Sequence, residues 1–174
     1  MIIRREQPGD DDPIRRVHRL AFARPDTPDE DPVEAGLVDD LRVTPDWIPQ
    51  LSLVALAGDE IIGHVVCTRG RLGNSSEPVL GLGPLGVTPE HQRQRVGHAL
   101  MHGVLGAADA LNEPLVALLG DPNYYRRFGF VDARLVGVEA PEPAWGEHFQ
   151  VRALATYHPA LTGVFAYAAP FAGR

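Results

Sequence analysis

The stretch Leu82–Leu100 reads Leu-Gly-Pro-Leu-Gly-Val-Thr-Pro-Glu-His-Gln-Arg-Gln-Arg-Val-Gly-His-Ala-Leu, and two periodicities meet within it. It completes an apolar run typical of a β-strand, made of Val79, Leu80, Leu82, Leu85 and Val87. Thr88-Pro89 ends that run. Apolar or small residues then recur at helical spacing, at Val96, Leu100, Gly103, Val104 and Ala107. We therefore predict a strand, a turn and the start of a helix that packs on the sheet.

Gly83-Pro84 lies inside the predicted strand. Proline cannot donate a ladder hydrogen bond, so within sheets it is normally confined to edges and bulges. We expect the strand to splay from its neighbour at this point. Backbone N–H groups near Leu85 and Val87 would then be free to bond an extended ligand that carries its own amide groups.

The predicted N-terminus of the helix collects groups that attract anions. Its first turn is expected to contain Gln92, Arg93, Gln94, Arg95 and Gly97. Free backbone N–H groups, the positive end of the helix dipole and guanidinium groups would meet there. Gly97 lets the backbone approach a ligand closely and needs no left-handed torsion for this. The pattern predicts a seat for a pyrophosphate group.

A second motif follows the short apolar strand predicted at Leu115–Leu119. Gly120-Asp121-Pro122 ends this strand, and residues 123–130 then read Asn-Tyr-Tyr-Arg-Arg-Phe-Gly-Phe. Glycine and proline here predict a turn into a short helical segment. Tyr124 and Tyr125 lie in that segment, where packing at the junction of strand and helix is one explanation for both rings.

Together the two motifs resemble the GNAT superfamily of N-acetyltransferases. The first is similar to its acetyl-CoA-binding motif, Gln/Arg-x-x-Gly-x-Gly/Ala: Gln92, Val96, Gly97 and Ala99 match, and Arg95 replaces the first glycine. The second, Tyr-x-x-x-Gly-Phe, resembles the family's second cofactor-facing element. Its longer form, Gly-Asp-Pro-x-Tyr-Tyr-x-Arg-Phe-Gly-Phe, is similar to a bacterial subgroup of uncharacterised predicted N-acetyltransferases. The resemblance covers nearly the whole chain.

The resemblance implies acetyl-CoA as co-substrate and direct transfer of the acetyl group to a primary amine. The cofactor-binding residues it implies are Leu85, Gly86, Val87, Gln92, Arg93, Gln94, Arg95, Val96, Gly97, His98 and Ala99. Backbone N–H groups near Leu85–Val87 would polarise the thioester carbonyl.

The resemblance also implies a catalytic role for Tyr125, which lies four residues before Gly129 as in the family motif. A phenol has a pKa of about 10 and stays protonated, so it can act as general acid for a thiolate whose reference pKa is about 8.5. Tyr124 is the reserve candidate, and packing remains the alternative for both rings.

No spacing selects a general base, and we leave the base unassigned among Glu77, His64 and His91. His64 follows Ile-Ile-Gly on a predicted strand, where a structural role is the alternative. No metal site is predicted: His98 and His102 share a helix, but no Glu stands between them as in His-Glu-x-x-His, and nothing completes a ligand set.

Aromatic and acidic residues suggest where an acceptor would bind. Loops near Trp47, Trp145 and Tyr157 could line an acceptor pocket, with core packing as the alternative for each ring. The acids Glu34, Asp39 and Asp40 follow a proline- and acid-rich loop at 24–32. They are explained either as a solvated helix face or as a rim that attracts a cationic amine.

The remaining pattern predicts an α+β fold, with a mixed, mostly antiparallel sheet flanked by helices and a splayed central strand. With 174 residues and 44% hydrophobic content, we expect one domain over residues 1–174. Further strands are predicted at 2–5, 51–57, 61–68, 149–154 and 163–167, and around Leu135, Val136 and Val138. Helices are predicted from Asp10 to Ala21 and from Val33 to Leu41, and a polar turn at 69–78.

Composition excludes several function classes. The net charge of −7 argues against a nucleic-acid or anionic-membrane surface, since both require a basic footprint. No apolar run is long enough to span a bilayer, and the first residues lack a signal-peptide core, so we expect a cytoplasmic protein. The single cysteine, Cys67, lies in a strand pattern and is explained as a buried thiol.

Two other functions are weighed against the acetyltransferase. Gly81-Leu-Gly83-Pro-Leu-Gly86 satisfies the Gly-x-Gly-x-x-Gly dinucleotide fingerprint, but it lies within the strand instead of following it. A non-catalytic module of the same fold that binds CoA is the main alternative, favoured by Arg95 and disfavoured by Tyr125. The expected partner is a small-molecule or peptide amine acceptor, and a homodimer is left open.

Overall fold

The computed structural model describes residues 1–173, which form an α+β fold around a mostly antiparallel sheet, as predicted. The nine strands of these residues are β1 (Ile2–Arg5), β2 (Ser52–Ala57), β3 (Glu60–Leu72), β4 (Val79–Val87), β5 (Leu115–Leu119), β6 (Val131–Asp132), β7 (Val138–Glu139), β8 (Phe149–Ala153) and β9 (Gly163–Ala166). Their α-helices are α1 (Asp11–Ala21), α2 (Val33–Arg42), α3 (Val96–Ala110) and α4 (Pro122–Tyr125). None of these helices is long and apolar enough to cross a membrane.

The strands follow the order β1-β2-β3-β4-β5-β8-β6, and β9 pairs with β3 and β7. Successive residues of a strand point to opposite faces of a sheet. Leu53 of β2 accordingly packs in one core with Leu100 of α3, whereas the next residue, Val54, packs in another with Val17 of α1 and Val38 of α2. The helix α3 therefore covers one face of the sheet, and α1 and α2 cover the other.

The central strand β4 separates from β5 as predicted. The two strands run parallel and pair only at Leu80–Val116 and Gly81–Ala117. Pro84, which has no N–H to donate, follows this pairing, and the register between β4 and β3 shifts beside it. The separated halves of β4 and β5 enclose what we call the β4–β5 cleft.

The predicted end of β3 was wrong. The strand continues through Leu72, although residues 69–78 were expected to form a polar turn. Gly70 pairs with Val79 of β4, and Leu72 pairs with Phe165 of β9. Long-range pairing with β9, which local sequence does not reveal, thus overrides the polar composition of this segment.

The helix α3 begins later than predicted, at Val96. Arg93 and Arg95 have positive φ values of 62° and 65°, which a right-handed helix cannot include. The residues Gln92–Arg95 therefore form a loop before the helix and not its first turn. Gly97, by contrast, needs no left-handed conformation, as expected.

The strand predicted around Leu135, Val136 and Val138 was also wrong. Residues 133–136 form a 3₁₀ turn, and only the two-residue strand β7 follows. The Asp132 carboxylate accepts a hydrogen bond from the Arg134 N–H and so starts the turn. Gly137, with φ of 76°, ends it in the left-handed region.

A chain of hydrogen-bonded polar groups, fully buried except for Glu6, links the end of β1 to α1. The Glu6 carboxylate accepts a hydrogen bond from the Ser52 hydroxyl at 2.5 Å. That hydroxyl lies 2.9 Å from Nε2 of His64, whose Nδ1 is 2.8 Å from Nε2 of His18. Because the Ser52 hydroxyl donates its proton to Glu6, it can only accept from His64, so Nε2 of His64 carries a hydrogen and donates to Ser52. Nδ1 of His64 is then an acceptor, and Nε2–H of His18 donates to it.

This arrangement leaves Nδ1 of His18 as a buried acceptor without a partner in the described residues. Both imidazoles are fully buried. Burial lowers the pKa of His18 to about 4. The pKa of His64 lies well below its usual value, chiefly because of burial and secondarily because of His18 and the Arg42 charge. A proton on His18 would have no acceptor, so both rings are neutral in the folded protein.

We predict that acid destabilises the fold through these histidines. An unfolded histidine takes up a proton near pH 6.5, whereas native His18 does so only near pH 4. The unfolded state then binds more protons between these values, and the unfolding free energy falls as the pH drops. His18 alone should lower it by about 2 kcal/mol between pH 7 and pH 5, measured by urea denaturation.

The matched variants for this prediction are His18→Leu and His148→Gln. His18→Leu should reduce the loss of unfolding free energy between pH 7 and pH 5. The His148→Gln variant, which replaces an exposed histidine, should show the same loss as wild type. An identical pH dependence in His18→Leu and wild type would contradict the prediction.

The left-handed conformation of Arg95 generates a second prediction. Arg95→Gly should raise the unfolding free energy by about 0.5 kcal/mol, because glycine adopts positive φ without the steric cost that any other residue carries. Arg95→Ala removes the same guanidinium but keeps that cost, so it should not stabilise. Equal unfolding free energies for the two variants would show that the backbone conformation is not the cause.

Candidate active site

The β4–β5 cleft presents unpaired backbone groups. Thr88 N–H donates to the Ile62 carbonyl of β3. Because N–H groups of a strand alternate between its two sides, Gly86 N–H also points towards β3, and those of Leu85 and Val87 point towards the cleft. Two of the predicted cofactor-binding residues thus offer backbone donors, whereas Gly86 has its N–H directed away.

The loop between β4 and α3 is held by its own side chains. Gln92 donates its side-chain amide to the Val87 carbonyl, and Gln94 donates to the Glu90 carbonyl, each at 3.0 Å. The Thr88 hydroxyl lies 2.9 Å from Nδ1 of His91. The predicted binding residues Gln92 and Gln94 therefore have their side chains engaged, while those of Arg93 and Arg95 extend into solvent.

The first turn of α3 supplies N–H groups that have no partner within the helix. These belong to Val96, Gly97 and His98, since Ala99 already donates its N–H to the Arg95 carbonyl. Val96 buries its side chain in the core, so only its backbone faces the loop. The Ala99 N–H is therefore not available to a ligand, and this residue could contact one only through its methyl group.

Tyr124 and Arg127 lie against this turn. A Cβ atom on Gly97 would lie 2.9 Å from the Tyr124 hydroxyl, which accounts for glycine there. The Arg127 guanidinium lies 4.9 Å from the centre of the Tyr124 ring, and its Nη1 is 3.2 Å from Nε2 of His98. Desolvation is the main cause that lowers the pKa of His98, and the positive charges of Arg127 and Arg95 lower it further. Arg127 is a cationic group at this turn that no sequence motif indicated, although two adjacent arginines follow the tyrosines.

Tyr125 lies at the other side of the cleft. Its ring packs against Gly120, where a Cβ atom would overlap it, and meets Phe130 edge-on at 5.9 Å. Burial, with a smaller electrostatic contribution from the neighbouring Tyr124, raises the pKa of the Tyr125 hydroxyl to about 12. This phenol stays protonated at neutral pH, and within residues 1–173 no hydrogen bond holds its hydroxyl.

Tyr125 also lines a cavity of about 800 Å³ that continues from the cleft towards α2 and the C-terminal residues, and we call it the apolar cavity. Leu85 of β4 and Leu119 of β5 line it, together with the aromatic rings of Trp145, Tyr167 and Phe171. The Tyr167 and Phe171 rings lie 4.7 Å apart. Two carboxylates, Glu34 and Glu142, line the same cavity.

Of the predicted acceptor-pocket residues, Trp145 alone lines the apolar cavity. Trp47 packs beside α1 and α2 below the Arg42 guanidinium, and Tyr157 packs in the core that contains Phe149. Of the acids on α2, Glu34 reaches the cavity, whereas Asp39 pairs with Arg15 and Arg42. The sequence did not point to Glu142, because no pattern links that loop to α2.

None of the three candidate bases lines the apolar cavity. His64 is fully buried in the polar chain, Glu77 pairs with His158 at 2.5 Å, and His91 is held by Thr88. Cys67 is also fully buried, which raises the pKa of its thiol. No group of three or more metal-ligating side chains occurs among residues 1–173.

Known proteins are similar to this chain in sequence and in structure. The acetyltransferase (GNAT) domain family matches residues 3–132. The uncharacterised N-acetyltransferase YhbS of Escherichia coli K12 is 32% identical over 165 residues, 94% of this chain and 92% of its own length. The uncharacterised N-acetyltransferase YjhQ of the same organism is 33% identical over 136 residues, 75% of each chain.

Two solved structures extend the likeness. That of Escherichia coli YhbS in complex with CoA has a TM-score of 0.86 and 29% identity, covering 98% of this chain and 91% of that one. A GNAT acetyltransferase from Brucella melitensis in complex with acetyl-CoA has a TM-score of 0.78 and 31% identity, covering 98% and 97% of the two chains. A family match over most of the chain, joined to these relatives, shows that this protein belongs to the GNAT family of N-acetyltransferases.

Proposed function

We propose that this protein transfers the acetyl group of acetyl-CoA directly to the primary amine of an acceptor. The observation that carries the proposal is the β4–β5 cleft, which joins free N–H groups at one end to Tyr125 and the apolar cavity at the other. The crystallised relatives from Escherichia coli and Brucella melitensis, which hold CoA and acetyl-CoA, support the choice of cofactor.

The pyrophosphate of CoA would lie over the N–H groups of Val96, Gly97 and His98. These groups carry the positive end of the α3 dipole, and Arg93, Arg95 and Arg127 add positive charge around them. The positive φ values of Arg93 and Arg95 let the loop reach the N-terminus of α3 even though Arg95 stands where the family motif has glycine. Arg95 therefore supports binding of an anion, and the non-catalytic alternative needs another basis.

The pantetheine arm would enter the cleft and pair with strand β4. It carries two amide groups, and the N–H groups of Leu85 and Val87 point into the space beside β4. A donor in the same row would face the thioester carbonyl oxygen and stabilise the charge that develops there.

The transfer then needs one proton donor and one free amine. The neutral amine nitrogen bonds to the thioester carbon, the carbon–sulfur bond breaks, and the sulfur takes a proton from the Tyr125 hydroxyl. The amine loses its extra proton to solvent, and solvent returns one to Tyr125. The mechanism assigns no side chain as base.

Gly97→Glu tests the pyrophosphate position. The new carboxylate would fill the space beside Tyr124 and repel a phosphate, so acetyl-CoA binding should be lost in isothermal titration. Wild type should bind acetyl-CoA with saturation and give no such response to NAD.

The matched control for this variant is Gly106→Glu, on the same helix, where an added Cβ meets no atom within 4 Å. It should bind acetyl-CoA like wild type. Binding of acetyl-CoA by Gly97→Glu would refute the position, and absence of binding by wild type would refute the proposed function.

Tyr125→Phe tests the proton donor. The variant should lower kcat by roughly tenfold to a thousandfold in a free-thiol assay, with acetyl-CoA affinity nearly unchanged, as expected for loss of a general acid. Tyr124→Phe removes the neighbouring hydroxyl and should have a much smaller effect on kcat. A wild-type kcat in Tyr125→Phe would show that Tyr125 is not the general acid.

A further inference from the structure

The lining of the apolar cavity restricts the acceptor. Aliphatic and aromatic residues dominate it, including Leu37, Leu119 and the rings of Trp145, Tyr167 and Phe171. Its rim also holds exposed apolar side chains: Val33, Leu119 and Val164 are 51%, 45% and 50% exposed. An apolar ligand would remove this surface from water, which is the main source of affinity in small-molecule sites.

The described lining residues of this cavity offer a hydrophilic acceptor few polar side chains: two carboxylates, the hydroxyl groups of Tyr125 and Tyr167, and the indole N–H of Trp145. None of its described lining residues is Arg or His, and the chain contains no lysine, so a carboxylate or phosphate on the acceptor would find no cationic side chain. None is Ser, Thr, Asn or Gln either. The hydroxyl groups of a sugar would therefore be buried with few partners, which weakens binding.

The two carboxylates define where positive charge is accepted. Glu34 is half-buried on α2, and Glu142 is exposed at the edge of the loop before Trp145. Neither makes a side-chain hydrogen bond or ion pair with another described residue, in contrast to Asp39 of the same helix, which pairs with two arginines. Both are available to accept hydrogen bonds from an ammonium group.

We propose that the acceptor is a small monoamine with an aromatic or branched aliphatic body and no carboxylate, drawn into the apolar cavity by Glu34 and Glu142. The inference rests on the proposed function, since it names the substrate class of the same site. The ammonium form is recruited, a proton leaves to solvent, and the neutral nitrogen then attacks the thioester carbon. The carboxylates bind and orient the amine, and no proton step is assigned to them.

A panel of amines chosen in matched pairs tests the substrate class. Phenethylamine and phenylalanine differ by one carboxylate, and phenethylamine and ethanolamine differ in the apolar body. Spermidine and glucosamine represent polycations and amino sugars, and the amide of the dipeptide Phe-Gly represents a peptide N-terminus. Thiol release with acetyl-CoA should give phenethylamine a kcat/KM at least tenfold above each of the others. A smaller difference, or the reverse order, overturns the proposal.

Carboxylate variants test the binding residues. Glu34→Gln and Glu142→Gln should each raise the KM for phenethylamine about three- to tenfold, with kcat and the KM for acetyl-CoA nearly unchanged. Asp59→Asn, in the turn between β2 and β3, makes the same change of charge outside the cavity and should leave both KM values unchanged. An unaltered KM for phenethylamine in both Glu variants overturns the role of these carboxylates.

Direct titration of phenethylamine separates this inference from the proposed function. Saturable heat with the wild-type protein, weakened in Glu34→Gln, supports the cavity as a monoamine site even where acetyl-CoA itself does not bind. Acetyl-CoA binding without any response to phenethylamine, in heat or in thiol release, overturns the inference and leaves the cofactor site standing.

Discussion

Pro84 has no N–H to donate, and it stands in the middle of β4, between the long strand β3 and the short strand β5. Pairing with β5 stops at Gly81, before the proline, and within residues 1–173 the remainder of β4 pairs with β3 alone. The strands β4 and β5 can therefore separate while β4 stays in the sheet, because β3 still pairs with the other side of β4. The cleft, the free N–H groups and the entrance to the apolar cavity all follow from this one interrupted ladder.

The cleft joins two ends of opposite electrostatic character. At the α3 end, helix N–H groups lie among Arg93, Arg95 and Arg127, whereas the far end holds Glu34 and Glu142 in apolar surroundings. In the proposed function, the negatively charged cofactor and a positively charged acceptor would thereby be drawn to different ends of one passage. Tyr125 lines the apolar cavity, is protonated at neutral pH, and has its ring packed against Gly120 and Phe130.

Behind the cleft, the buried chain from Glu6 to His18 ties α1 to the sheet. Its final imidazole lies against Gly86, where a Cβ atom would come within 2.7 Å of Nδ1. The polar chain thus supports the strand that carries the free amides, and its neutral histidines make this support sensitive to acid. His64 was among the candidate bases, and its burial in this chain explains its place on β3 by structure instead.

The sequence by itself determined the strand, turn and helix at Leu82–Leu100, the separation of the strand at Pro84, the tyrosine pair and the family resemblance, because each depends on local spacing or on backbone chemistry. It did not determine where α3 begins, since the left-handed turns at Arg93 and Arg95 occupy positions usually given to glycine. Nor could it extend β3 to Leu72, which needs β9 as a partner. The acceptor end was decided by tertiary structure alone: Glu34, Glu142 and Phe171 are far apart in the chain, and only the closing of the C-terminal segment over α2 and β4 brings them to one cavity.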